Sequence, residues 1–399
     1  MAENALHGVN LTGWLTLEPW VTPELFSGSG ALDEPSLVTS LGARGYREVV
    51  RRHRARFVTR DDFSRIASRG FNAVRLPIPW YVFGEGGPNP GPYLGCIEEV
   101  DQALEWAEEI DLKVVFVLAV NPGVPGDEQT WNNFTDERGI RENSLWVLSQ
   151  LGSRYASRMG FFGIEVADDA RIQTRRGLGV TDGLPGHLLR NYYRAAYDRV
   201  REAAGPDPVV ILPDAGIPTD WRRFMAQRQY QNVWLDCHLD KPSAIMANMG
   251  YAPGANTLGL RRIMAEIHRH IREDQKSGLP VMVGKWSSAL PIADAAMTPE
   301  GRVALERIYS SEQLTAYEKL PAWFFQTWKT TGRLSSWDAR VALSSFERGL
   351  SADGRHSLCG GHAHRKPRGR IAACEAHAWR GGRHPLRGHP RHGTAPLSL

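Results

Sequence analysis

Charged side chains stand where short apolar runs of this chain end, at the pair Asp168-Asp169, Asp214, His238 with Asp240, and Lys285, and Arg75 lies within such a run. Carboxylates gathered at one place can move protons, and a lysine among apolar walls can lose its proton and serve as a base or imine-forming nucleophile. Neighbouring carboxylates oppose that loss by favouring the ammonium. The expectation is therefore a charged Lys285 acting as an electrostatic clamp or general acid, with Asp169 or Asp168 as the base. Asp168, Asp169, Asp214 and Asp240 together also offer a Mg2+ ligand set suited to a phosphorylated or isoprenoid diphosphate substrate, although Asp168-Asp-Ala-Arg-Ile172 lacks the third acid of an aspartate-rich motif. No Gly-x-Ser-x-Gly elbow is present, so acyl transfer has no specific support.

The elements that must carry these residues are eight short apolar runs: Leu6–Leu11, Asn72–Ile78, Lys113–Val120, Phe161–Ala167, Pro208–Asp214, Val233–Leu239, Pro280–Trp286 and Ala322–Trp328. Between them, 3.6-residue periodicity predicts helices over Asp61–Arg69, Ile97–Ile110, Glu142–Ser157, Leu188–Ala203, Leu258–Gln275 and Ser311–Leu320, with a last helix over Val341–Leu350. Near-continuous apolar strands alternating with amphipathic helices require a parallel sheet covered on both faces, and eight such units predict a closed (β/α)8 barrel. In that fold the ends of the strands line one pocket, which would bring the charged positions together.

The net charge of +4 describes a tail. Residues 355–399 carry eight Arg, one Lys and a single acid, Glu375, and the 354 residues before them are slightly acidic. A barrel domain over 1–354 and an Arg/His/Gly/Pro-rich, disordered tail over 355–399 are expected, with no nucleic-acid partner. Cys96, Cys237, Cys359 and Cys374 have no metal-ligand spacing, and no apolar stretch is long enough to span a membrane. The N-terminal residues lack a basic and then apolar leader, so the reading is a cytoplasmic protein without a membrane partner.

Three segments carry a family resemblance: Gly8-Val-Asn-Leu-Thr-Gly-Trp-Leu-Thr-Leu-Glu-Pro-Trp20 with Thr22-Pro-Glu-Leu-Phe26, Phe71-Asn-Ala-Val-Arg-Leu-Pro-Ile78, and Trp323-Phe-Phe-Gln-Thr-Trp-Lys-Thr330 with Trp337-Asp338. Over roughly residues 8–350 the chain resembles glycoside hydrolase family 5, in its exo-1,3-β-glucanase branch. Such enzymes set a glutamate acid/base and a glutamate nucleophile about 5 Å apart. The resemblance places Asp169 at the first position, within Asp168-Asp169-Ala170, and Lys285 at the second, within Gly284-Lys285-Trp286-Ser287. It also aligns Ala119 with a pocket histidine and Asp240 with a tyrosine beside the nucleophile, while Glu18, Arg75, His238 and Trp328 remain as sugar-binding residues.

Without a carboxylate at 285, the sequence reading is a glycosidase-like barrel repurposed for a non-hydrolytic lyase, cyclase, isomerase or dehydratase step on a small anionic metabolite. The alternatives are an inactive carbohydrate-binding pseudoglycosidase, a residual β-glucosidase or exo-1,3-β-glucanase, and the Mg2+-dependent enzyme above. The segment 170–187 carries Arg171, Arg175 and Arg176 and is expected to form a lid whose charge suits an anionic ligand, with Arg175 as a substrate-binding residue.

Overall fold

The computed structural model describes residues 5–88, 91–120, 138–176, 179–180, 183–240, 257–290, 297–332 and 334–344. The tail expected over 355–399 lies outside the described residues. Eight parallel strands close into a barrel in the order β1-β10-β9-β8-β7-β4-β3-β2, where β1 is Leu6–Asn10, β2 Ala73–Pro79, β3 Lys113–Val120, β4 Phe161–Glu165, β7 Val209–Pro213, β8 Val233–His238, β9 Val281–Trp286 and β10 Ala322–Phe325. The fold is the (β/α)8 barrel, and each strand lies within or one residue beyond its predicted run. β5 (Arg175–Arg176) and β6 (Gly179–Val180) form a small antiparallel hairpin after β4.

The helices are α1 (Glu34–Phe57), α2 (Arg60–Ser68), α3 (Ile97–Glu108), α4 (Arg138–Tyr155), α5 (Gly186–Ala204), α6 (Thr257–Gln275), α7 (Pro299–Tyr317) and α8 (Ala339–Ala342). Two differ from the sequence reading. α7 begins twelve residues before its predicted start, behind an N-cap in which Thr298 Oγ1 accepts from the Gly301 amide, and Pro299 fills the first turn. α1 is not predicted at all. Gly42 (φ 67) breaks its period, and much of its buried face is polar, since Glu34, His53 and Arg54 join Leu37, Tyr46, Val50 and Phe57 there. Those polar groups find partners: Glu34 accepts from the Tyr46 and Tyr81 hydroxyls, and both terminal nitrogens of Arg54 donate to the Leu94, Gly95 and Leu15 carbonyls. The expected last helix is a single turn within the described residues; the remainder of Val341–Leu350 lies outside them.

Inside the barrel the alternation of strand side chains makes two layers. The lower is apolar, formed by Leu6, Ala73, Val115, Val209, Ile211, Met282, Ala322 and Phe324. Two to four residues further along the same inward rows lie Asn10 on β1, Arg75 on β2, Glu165 on β4, and Asp236 and His238 on β8, so the apolar floor supports a charged layer. The outward rows pack on the helices in one extensive core that includes Val74, Leu76, Val114, Phe116, Val210, Leu212, Trp286 and Trp323.

Candidate active site

Arg75 is the hub of the charged layer. Its guanidinium donates to Glu165 Oε2 (2.9 Å), Asn10 Oδ1 (2.8 Å) and Asp168 Oδ1 (2.9 Å), and lies 3.9 Å from Asp236 Oδ2. Asn10 is oriented in turn by donating to the carbonyl of Gly284 at 2.9 Å. Gly284 admits this arrangement because its amide donates to Asp236, and a Cβ there would overlap that carboxylate.

Above the hub, Lys285 Nζ donates to Asp168 Oδ2 at 2.8 Å and lies 3.2 Å from Asp169 Oδ2. Asp169 occupies the left-handed region (φ 49), which Asp tolerates better than most residues, and this turns its carboxylate toward His238 Nδ1 at 2.6 Å. The other imidazole nitrogen, Nε2, lies 3.3 Å from Asp236 Oδ2. Lys285 and Asp168 are largely buried, whereas the Asp169 side chain keeps 32% of its exposure and is the carboxylate of this group that faces solvent most.

These environments push acidities apart. Burial alone would raise Asp168, but the charges of Lys285 and Arg75 outweigh it and hold the carboxyl below its ordinary range. Burial would likewise deprotonate His238 and Lys285; the acids around them reverse both effects, keeping His238 well above 6.5 and Lys285 an ammonium. Glu165 is pushed up to about 7 by burial, against the pull of Arg75. Glu18, before the first helical turn, is also pushed up to about 7 by burial, with Lys285 and a hydrogen bond from Trp20 Nε1 (2.6 Å) opposing and Asp168 and Asp169 reinforcing the rise. The charges that act on Glu18 assign it to the same pocket. Trp20 packs edge-on against Trp337 at 5.4 Å between ring centres, and both indoles stay partly exposed.

Sequence reasoning located Arg75, Asp168, Asp169, His238 and Lys285, and the structure brings them together. Asp240 follows β8, and its charge also acts on Lys285. Two expectations are corrected. Asp214 does not join the pocket: it continues the outward row of Val210 and Leu212 and meets His270 on α6, so the four-aspartate Mg2+ set does not converge. Trp328 is buried in the outer core, where its Nε1 donates to Asp62 on α2 (2.9 Å) beneath Arg69. Gln326 continues the inward row of Ala322 and Phe324 and accepts from Thr12 Oγ1 at 3.1 Å. Ala119 leaves only a methyl in its row. Arg175 lies in β5 of the hairpin, and its side chain is outside the described residues.

Glu165 and Asp236 were missed. Both sit inside strands whose two faces are buried, which hides the alternation, and attention to strand ends passes over them. Counting by twos from the inward Gly163 and Trp234 would have found each.

A barrel whose strand ends gather Arg, Asp, Glu, His and Lys above an apolar floor is the layout of a TIM-barrel enzyme. No family model matches the chain. It is 29% identical over 380 residues to a probable glucan 1,3-beta-glucosidase A of Aspergillus fumigatus, spanning 85% of this chain and 86% of the relative. Among solved structures, rutinosidase from Aspergillus niger superposes with a TM-score of 0.64 at 17% identity, covering 87% of this chain and 97% of that one. PbGH5A, a glycoside hydrolase family 5 enzyme from Prevotella bryantii B14, gives 0.56 at 13% identity, covering 87% and 96%. The chain thus resembles glucan 1,3-beta-glucosidases in sequence and shares the barrel fold of glycoside hydrolase family 5 structures.

These relatives overturn two readings. A non-hydrolytic biosynthetic lyase or cyclase and a pseudoglycosidase have no counterpart among them, because the curated relatives carry the name of a hydrolase. The cytoplasmic assignment, read from N-terminal residues without a basic and apolar leader, is overturned as well, because the relatives are fungal glucan 1,3-beta-glucosidases. No helix among the described residues is long and apolar enough to cross a membrane.

Proposed function

We propose that this protein is an O-glycosyl hydrolase acting on β-glucosides, with 1,3-linked β-glucan as the substrate class and no anionic requirement. The observation that carries this reading is the relatedness to glucan 1,3-β-glucosidase along 85% of the chain, joined to a polar pocket at the strand ends. The sequence resemblance aligns Asp169 and Lys285 with the two glutamates of family 5 enzymes, and an ammonium cannot form a glycosyl ester. Hydrolysis here is a single displacement by water.

The diverging acidities assign the roles. Asp169, which lies 3.2 Å from Lys285 Nζ and is the carboxylate of this group most open to solvent, takes a proton from the attacking water. Glu18, half protonated near pH 7, gives one to the glycosidic oxygen as the bond to the anomeric carbon breaks. Lys285 and Arg75 fix the Asp168-Asp169 turn, and the partly exposed Trp20 and Trp337 offer apolar faces for a sugar ring. A direct displacement inverts the anomeric carbon.

The test is incubation with 1,3-β-gluco-oligosaccharides and an aryl β-glucoside, following fresh product by proton NMR. Release of α-glucose is expected. Absence of glucose, or release of the β-anomer, overturns the proposal.

A further inference from the structure

Behind the barrel wall, between the end of β7 and α6, lies a second cluster that the proposed hydrolysis does not use: Asp214, His270 and Asp274. One ligand atom from each lies within 4.8 Å of the others, and all three residues are buried. Asp214 is set by its surroundings. Its Oδ1 accepts from the Gly216 amide at 2.9 Å and its backbone carbonyl accepts from Trp221 Nε1, which leaves Oδ2 turned to His270 Nε2. One helical turn on from His270, Asp274 has no solvent exposure, and neither of its carboxylate oxygens has a hydrogen-bond partner among the described residues. Its Oδ2 lies 3.4 Å from the same His270 Nε2.

Two buried carboxylates facing one imidazole nitrogen exceed what that nitrogen can serve, since one N–H satisfies one acceptor. A fully buried carboxylate without a donor is costly: burial and the neighbouring Asp214 push Asp274 well above its ordinary range, so without an ion it holds a proton, and a cation shared by all three groups takes that proton's place. The His and Asp at positions i and i+4 of α6 project from one helix face, as two ligands of one ion must. A cation bound about 2.1 Å from each ligand in tetrahedral geometry separates ligand atoms by about 3.4 Å, the spacing of His270 and Asp274; the directly hydrogen-bonded His270 and Asp214 stand closer, so an ion displaces the proton they share and parts that pair.

We propose that Asp214, His270 and Asp274 form a binding site for one divalent transition-metal ion of the Zn2+ or Mn2+ type. Imidazole with two carboxylates suits these ions better than Ca2+, which takes more oxygens. The site is structural: it ties α6 to the end of β7. The Asp214 amide donates to the Asp236 carbonyl at 2.8 Å, so the tie also reaches the strand that carries Asp236 and His238.

The experiment is calorimetric titration of Zn2+ into the full chain after chelator treatment, beside Asp274→Asn, His270→Gln and the pocket variant Asp168→Asn. One equivalent and a raised melting temperature are expected for the unaltered chain and for Asp168→Asn, with binding lost in the other two. No binding, binding that survives Asp274→Asn, or binding lost with Asp168→Asn overturns the site, the last because the ion would then belong to the pocket. If Asp274→Asn fails to fold, Co2+ added to the unaltered chain decides: visible ligand-field bands with one histidine shifted by NMR support the site, and their absence refutes it. Glycosidase activity enters neither readout, so the outcome is separate from the proposed hydrolysis.

Discussion

Lys285 Nζ lies 2.8 Å from Asp168 and 3.2 Å from Asp169, bridging the end of β9 to the turn after β4 across the mouth of the barrel. The lysine is buried and both carboxylates depend on it, so removing one partner leaves uncompensated charge in a low-dielectric place. Lys285→Met is expected to lower unfolding free energy by about 3–5 kcal/mol at pH 7, measured by urea denaturation. The loss should shrink as pH falls through the lowered value of Asp168, where that carboxylate takes up a proton.

The charged layer also sets the pH dependence of stability. Glu165 and Glu18 have folded values near 7 against 4.5 when free, so the folded state binds the extra protons and stability falls as pH rises from about 4.5 to about 7. His238, held well above 6.5, adds stability that is fully present below 6.5 and lost as pH climbs through its folded value. Asp168 acts in the opposite sense: its contribution is present above 3.8 and disappears as pH falls through its lowered value. A maximum between about pH 4 and 5 results. Glu165→Gln should remove up to about 3 kcal/mol of the decline toward neutrality, which urea titrations across the range would reveal.

The same values bear on catalysis. With Glu18 as proton donor, kcat/KM should fall tenfold per unit above about pH 7, and Glu18→Gln should lower it at all pH values while flattening that limb. An unchanged profile in the variant removes Glu18 from the role.

Much of this arrangement was legible in the sequence, and the reasons are local. Eight apolar runs bounded by turn residues specify the strands, and the rule that strand ends converge located Arg75, Asp168, Asp169, His238 and Lys285. Parity was the information left unused. Asp214 was grouped with the pocket because it ends a strand, yet the outward Val210 and Leu212 already direct it to α6. Glu165 and Asp236 occupy inward rows that no surface alternation marks. α1 escaped because helix periodicity is read from apolar residues, and this helix buries Glu34, His53 and Arg54 through partners distant in sequence.

Trp328 and Trp20 separate structure from binding. Trp328→Phe removes a buried N–H donor to Asp62, which keeps Lys329, and leaves a small void; about 2–3 kcal/mol of stability should be lost with KM unchanged. Trp20→Ala, at a partly exposed indole beside Glu18, should leave stability nearly intact and raise KM for the aryl glucoside at least tenfold. The reverse pattern would return Trp328 to the sugar-binding face.

Restoring a retaining glycosidase requires three changes. Lys285→Glu alone would place a third carboxylate against Asp168 and Asp169 after deleting the cation that balances them. In the family pattern asparagine precedes the acid/base glutamate, so Asp168→Asn removes the surplus charge and still offers an amide oxygen to Arg75 Nη2. Asp169→Glu then adds the methylene that carries its carboxyl further toward the anomeric centre. The triple variant is expected to hydrolyse aryl β-glucosides at least a hundredfold faster than the parent, and its first product should change from α- to β-glucose as two displacements replace one. Lys285→Glu by itself should lose stability and gain little rate. A folded triple variant that still releases the α-anomer would place the attacking water, and with it the sugar, elsewhere in the barrel mouth.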